Sequence, residues 1–141
     1  MLFRSIRSSH PSIEDLLFNM ISLDYDDLLS AAAGSQLEDQ RRRIMKEYKG
    51  KYILAVEGNA STKDDGVYCM VGGDSFLNTL KETAADAAAI IAWGSCASFG
   101  CVQNAAPNPT GAAPVSDIIK NKPIVKVPGC PPISEIGRAH V

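Results

Sequence analysis

No stretch of this chain is apolar for long enough to cross a bilayer. The longest uninterrupted run, Ala87 to Trp93, falls far short of the roughly 20 residues a membrane-spanning helix needs. An excess of one charge sign is also lacking. Fourteen Lys and Arg stand against 16 Asp and Glu, a net charge of −2, so the basic footprint of a nucleic-acid binder is not there. Cysteine is sparse, four in 141 residues, which is too thin for a disulfide scaffold but enough to furnish one metal site. Neither Gly-x-Gly-x-x-Gly nor a Walker loop occurs, so nucleotide chemistry has no local support. Signal peptide, internal repeat and low-complexity tract are all missing. What remains is ordinary for one globular domain: 45% hydrophobic and 21% charged residues.

Both ends read as those of a fragment. Met1 to Ser5 leads almost directly to a helix start at Ser12, and no first strand precedes it. At the other end, Ile136 to Val141 is what a common sequencing adapter gives when translated in one frame. Residues 136–141 are therefore expected to be an adapter-derived tail, with a genuine polar tail as the competing reading. His140 and Arg138 are left out of any site.

Between the ends, helices and strands alternate. Ser12 with Asp15 reads as a helix N-cap, and Ile13, Leu16, Leu17 and Met20 recur at helical spacing. Ile21 to Tyr25 alternates like a short strand, and Asp26 is placed to cap a short helix ending at Gly34. Ser35 with Glu38 reads as a capping box for a helix with Leu37, Arg41, Ile44, Met45 and Tyr48 along one side, ended by Gly50. The triplet Arg41-Arg42-Arg43 reads as a solvated face, because three consecutive helical residues point in three directions. Tyr52–Val56, Ala87–Trp93 and Pro123–Val127 read as buried parallel strands. Ser75 caps a helix carrying Phe76, Leu77, Leu80 and Ala84, Pro107 to Pro114 forms a loop, and Val115 to Asn121 a short helix. Such alternation predicts an α/β fold with a mostly parallel sheet.

Ligands of open parallel sheets bind beyond the carboxyl ends of the strands. The three predicted strands deliver Glu57, Cys96 and Cys130 to that edge, and Cys101, five residues after Cys96, can curl back to it. Each of these cysteines has Gly or Pro beside it, which lets backbone approach a bulky group and leaves N–H groups free to bond sulfides. Thiolates so placed suit iron–sulfur or zinc, and small buried or free thiols are the competing reading. Cys69, among Val67, Tyr68 and Met70, is expected in the core, and His10 in a capping or hydrogen-bonding role.

Several segments in this order resemble the small, electron-transferring subunit of nickel–iron uptake hydrogenases. They are Arg7-Ser8-Ser9-His10-Pro11, Leu54-Ala55-Val56-Glu57-Gly58, Trp93 to Gln103, Pro107-Asn108-Pro109-Thr110 and Val127 to Pro132. The resemblance implies that residues 1–135 are part of an N-terminal flavodoxin-like three-layer domain. Its first strand, central in a 2-1-3-4-5 sheet, lies outside the chain, as does a C-terminal iron–sulfur domain. It implies a proximal cluster with Cys96 and Cys130 as its two downstream ligands. It further implies medial 3Fe–4S and distal 4Fe–4S clusters in the absent domain, and no catalytic residue here, because hydrogen is split in the large subunit. Ordinary members of the family have Gly at the position of Cys101. Oxygen-tolerant membrane-bound members have Cys there, with a six-cysteine 4Fe–3S cluster and a glutamate matching Glu57 beside it. An ordinary 4Fe–4S cluster with Cys101 nearby is the alternative. By the same resemblance the partners are the large subunit and a membrane cytochrome b feeding quinone, at the periplasmic face of the cytoplasmic membrane. The competing functions are a flavodoxin-like flavin- or protein-binding module and the cluster subunit of a related quinone reductase.

Overall fold

The computed structural model describes residues 11–132. The expectations for Arg7 to His10 and for residues 136–141 fall outside them. Ser12 starts the first helix as expected, its Oγ accepting the Asp15 N–H at 3.1 Å. Helix α1 (Ile13–Asp15) then widens into a π-helical turn over Leu16–Met20, closed by Ile21 N–H to Leu16 O at 3.0 Å.

Ile21 to Tyr25 is not a strand. Ile21 is extended, but among the described residues no strand pairs with the segment, and Met20, Ile21 and Leu23 stay exposed. Alternation sets which way side chains point, but a strand also needs a partner for its backbone groups. The helix expected after Asp26 is a single turn, with the Asp26 carboxylate accepting from Leu28 and Leu29 N–H at 2.8 and 2.7 Å.

Helix α2 (Ser35–Glu47) forms where expected, but its cap differs. Gly34 is the N-cap, and Glu38 turns away from the helix start. Its carboxylate takes the Arg41 Nε–H at 2.9 Å and the Tyr25 hydroxyl at 3.4 Å. Arg41 is only 4% exposed, which corrects the reading of the arginine triplet as a solvated face. Its remaining donors reach Thr83 Oγ1 at 2.9 Å and Glu82 Oε2 at 2.8 Å, tying α2 to α3 (Phe76–Ala85). Arg42 does lie on the surface, paired with Asp39.

Strands β1 (Ile53–Glu57), β5 (Ala89–Trp93) and β7 (Ile124–Val127) form one parallel sheet in the order β1-β5-β7. The expected α/β class and parallel sheet are both present. The strands are less buried than continuous apolar runs predict, with Ile53 and Val125 mostly exposed. Short strands β2 (Ala60–Ser61) and β6 (Ala112–Ala113) pair antiparallel and brace the long loops. Between them β3 (Met70–Val71) and β4 (Asp74–Ser75) form a hairpin. Its two turn residues, Gly72 and Gly73, both have positive φ, the geometry a two-residue hairpin turn requires. Ser75 caps α3 as expected, its Oγ accepting from Asn78 N–H.

Val56, Ile90 and Ala92 from the sheet, Leu77, Leu80 and Ala84 from α3, and Val115 make the core. Helices α4 (Ser95–Phe99) and α5 (Cys101–Asn104) follow β5, and α6 (Val115–Ile118) precedes β7. Ala97 and Ser98 of α4 are fully buried, and the Ser98 hydroxyl donates to Ala92 O at 3.0 Å. That bond seats α4 on the strand it follows.

Candidate metal centre at the carboxyl rim of the sheet

Parallel register decides what meets at the rim. Glu57, Trp93 and Val127, the last residues of β1, β5 and β7, stand side by side. The residues just beyond them, Gly58-Asn59, Gly94-Ser95-Cys96 and Pro128-Gly129-Cys130, therefore leave the sheet at the same edge.

The second and third of these turns are clamped together. Ser95 N–H donates to Gly129 O, and Gly129 N–H to Ser95 Oγ, both at 2.8 Å. Gly94 N–H continues the sheet ladder to Val127 O at 2.8 Å. Cys96 and Cys130 thus belong to two turns joined by reciprocal hydrogen bonds. Gly94 sits at φ 93°, a backbone conformation that residues with a Cβ rarely adopt.

Cys101 does curl back. Gly100 takes the left-handed conformation at φ 86°, and its N–H returns to Cys96 O at 2.8 Å. From β1's side, Asn59 Nδ2 donates to Gly100 O at 2.8 Å and anchors the reversal. Cys101 itself sits at φ 50°, a region that costs a residue with a Cβ roughly 1–2 kcal/mol.

Burial pushes the Cys96 thiol up from its ordinary pKa, and the adjacent Cys101 thiol and the Glu57 carboxylate push in the same direction. Gln103 lies against the same sulfur, its Oε1 accepting from Cys96 Sγ at 3.6 Å. Cys96, Cys101 and Glu57 therefore share one electrostatic environment. All four cysteines are free thiols; Cys101 and Cys130 are exposed, while Cys96 and Cys69 are half-buried. Cys69 is placed elsewhere, its backbone bonded to Gly66 and Phe76, and it is not the core residue expected.

Among the described residues, no three His, Cys, Asp or Glu side chains converge tightly enough to hold a single metal ion. One ion needs all its donors about 2.3 Å from one point. A cluster of several irons binds each thiolate at a different corner, so its ligands need not converge on one point. Cys101 acts electrostatically on Cys96, and Cys130 follows Gly129 on the turn clamped to that of Cys96. The donor set, all sulfur with one carboxylate beside it, is of the kind iron–sulfur clusters take.

Asn59, Ser95 and Gln103 hold the rim together and were not foreseen as site residues. Their signal in the sequence is position alone, since each lies within seven residues of Cys96 or two of Glu57.

Residues 4–137 match the family described as NADH ubiquinone oxidoreductase, 20 Kd subunit. The uptake hydrogenase small subunit of Azotobacter vinelandii is 60% identical over 131 residues, covering 93% of this chain and 37% of that protein. The hydrogenase-1 small chain of Escherichia coli K12 is 56% identical over 136 residues, covering 96% of this chain and 37% of that one. The chain thus spans little over a third of the length of these relatives. In structure it resembles the recombinant [NiFeSe] hydrogenase of Desulfovibrio vulgaris Hildenborough, with a TM-score of 0.86 and 35% identity over 93% of this chain and 50% of that one. The Ni-Fe-Se hydrogenase of Desulfomicrobium baculatum gives 0.88 at 28% identity, over 97% of this chain and 54% of that one. The chain belongs to the family of the 20 Kd subunit of NADH ubiquinone oxidoreductase, and the small subunits of uptake hydrogenases are its similar curated relatives.

Proposed function

We propose that this chain is the proximal-cluster part of the electron-transfer small subunit of a nickel–iron hydrogenase that oxidises dihydrogen. The observation that carries the reading is the sulfur-lined rim, in a chain 56–60% identical to uptake hydrogenase small subunits. The family description would equally suit the cluster subunit of a quinone reductase, but that degree of identity favours the hydrogenase.

A bound iron–sulfur cluster supplies one-electron storage at a fixed position. Cys96, Cys130 and Cys101 are the residues that would hold it. The Ser95–Gly129 clamp fixes two of the loops relative to each other, so that little reorganisation accompanies a change of charge. Glu57 puts a proton-accepting carboxylate next to the Cys96 sulfur. Dihydrogen gives two protons and two electrons at a large-subunit centre, and this chain passes the electrons outward. A membrane cytochrome b and quinone as acceptors, and a periplasmic location, complete the proposal.

The test is co-production, with a cognate large subunit, of the protein as its gene encodes it. Hydrogen-dependent dye reduction and iron content are then read for the unaltered protein and for Cys96→Ser and Cys130→Ser. Both variants should lose iron and most dye reduction, whereas Cys69→Ser should lose neither. Full iron content in Cys96→Ser and Cys130→Ser would overturn the assignment.

A further inference from the structure

Gln103 brings a polar side chain against a rim sulfur, and its effect there depends on the state of that sulfur. It belongs to α5, seven residues past Cys96, and reaches back because Gly100 turns the chain. Asn59 Nδ2 holds this turn through Gly100 O at 2.8 Å, and Asn104 N–H closes α5 on the same oxygen at 3.3 Å. The Gln103 carboxamide is thereby set 3.6 Å from Cys96 Sγ. With Cys96 as a thiol, the sulfur donates and Oε1 accepts. A carboxamide has two unlike ends in one plane, an oxygen that accepts and an NH2 that donates. A sulfur that binds iron does so as thiolate and has no proton to give. Oε1 would then turn a lone pair on a negative sulfur. Half a turn about the last side-chain torsion, which is soft, brings Nε2–H to the sulfur instead and moves no backbone. Gln103 is exposed, so the end turned away meets water.

We propose that Gln103 raises the reduction potential of the cluster held at the rim, by donating its Nε2–H to the Cys96 sulfur. This rests on the cluster reading of the rim. An electron entering the cluster adds negative charge that spreads onto the thiolate sulfurs. A donor aimed at one of them is therefore bonded more strongly in the reduced state than in the oxidised state. That difference favours the reduced cluster and lifts the potential. A higher potential makes the cluster a better acceptor for electrons leaving a hydrogen-splitting centre. Gln103 makes no bond to iron and keeps its protons in both states. Its loss should leave the iron in place and move the potential.

The protein as its gene encodes it is co-produced with a cognate large subunit, unaltered and as Gln103→Leu, Gln103→Glu and Cys96→Ser. Iron content is measured, and electron paramagnetic resonance follows the clusters through a redox titration. The signal lost in Cys96→Ser identifies the cluster at the rim. Gln103→Leu replaces the donor by an apolar group of similar size and should keep full iron. Its ratio of reduced to oxidised cluster at a fixed potential should fall roughly three- to tenfold, which is about 30–60 mV for one electron. Gln103→Glu puts a negative, acceptor-only group in the same place and should lower the ratio further. Electron–nuclear double resonance in water and deuterated water should show one exchangeable proton coupled to the reduced cluster that vanishes in Gln103→Leu. An unchanged potential, or an unchanged set of exchangeable protons, in Gln103→Leu with full iron overturns the tuning and leaves the cluster reading standing. Loss of iron in Gln103→Leu makes the residue a support of the rim and overturns the tuning as well. If Cys96→Ser loses neither iron nor signal, the cluster reading falls and the tuning with it.

Discussion

At the scale of single residues, Cys101 presents a trade between backbone and chemistry. Its φ of 50° suits glycine, yet the position carries a thiol beside Cys96. Cys101→Gly should relieve the strain and leave the folded state no less stable, with a gain of up to about 1 kcal/mol after the entropy glycine adds to the unfolded chain. Cys101→Ser removes the thiol and keeps the strain, so denaturant midpoints of the two variants separate the effects. If the thiol is retained for oxygen tolerance, the ratio of hydrogen oxidation in air to that under nitrogen falls in Cys101→Gly and stays put in Cys69→Ser. The Cys96 thiol makes a second prediction. Burial first, then Cys101 and Glu57, raise its pKa, so a smaller fraction is thiolate at a given pH. In the metal-free protein its alkylation should therefore set in at higher pH than that of free cysteine. Glu57→Gln removes one raising charge and should shift the profile back downward; an upward shift or none would show that the carboxylate does not act on this sulfur. Because the folded-state pKa is raised, the associated stability is full below the ordinary thiol pKa and lost as pH climbs through the raised one.

At the scale of elements, the sheet and its turns build the rim, while a buried ion network sets α2 on α3. Arg41 is held by Glu38, Thr83 and Glu82, and it is nearly inaccessible. Arg41→Ala leaves the Glu38 carboxylate buried without its partner and should cost about 3–5 kcal/mol in denaturant unfolding. Arg42→Ala, next to it but at the surface, should change stability by less than about 0.5 kcal/mol. Equal effects would mean the network does not join the helices. The turn at Gly100 is the corresponding weak point of the site. A Cβ there would lie 2.4 Å from Asn104 Cβ at a φ of 86°, so Gly100→Ala must shift α5 and separate Cys101 from Cys96. Loss of iron from that variant, co-produced with a cognate large subunit, is the expected result. What could be read ahead of the structure follows the same division. Local signals held: the Ser75 cap, α3 and the three parallel strands lie where apolar pattern and turn residues put them. So did the delivery of Glu57, Cys96 and Cys130 to one edge, since strand ends of a parallel sheet share a side. Signals settled by distant partners did not hold. Arg41 is buried because α3 supplies Glu82 and Thr83, which no spacing within α2 reveals. Ile21 to Tyr25 has the alternation of a strand but, among the described residues, no neighbour to make it one. Ser95 and Gly129 clamp the rim across 34 residues of chain, and neither residue type announces it.

At the scale of the whole molecule, the same sheet that builds the rim leaves much apolar surface uncovered. Parallel sheets are stable when helices cover both faces and their edges are short or paired. Here β1 pairs with β5 on one side and, among the described residues, with no strand on the other. Ile53 on that strand is 63% exposed, and Phe18, Leu28 and Leu29 are exposed further still. Around the rim, Phe99 and Val102 add exposed apolar area, partly capped where Lys126 Nζ lies 5.2 Å from the Phe99 ring. Scattered exposed leucines are ordinary, but an open parallel edge with large side chains beside it is a template for self-association. Covering such side chains is worth roughly 1.5–3 kcal/mol each, against a global stability of about 5–15 kcal/mol for a whole domain. The 141-residue chain on its own should therefore bind hydrophobic dyes, elute as concentration-dependent assemblies in size-exclusion chromatography and melt over a broad range. Co-production with a cognate large subunit should narrow the melt if that subunit covers the rim side chains. A monodisperse monomer with one sharp transition and no dye binding would show that three parallel strands and the Arg41 network suffice by themselves.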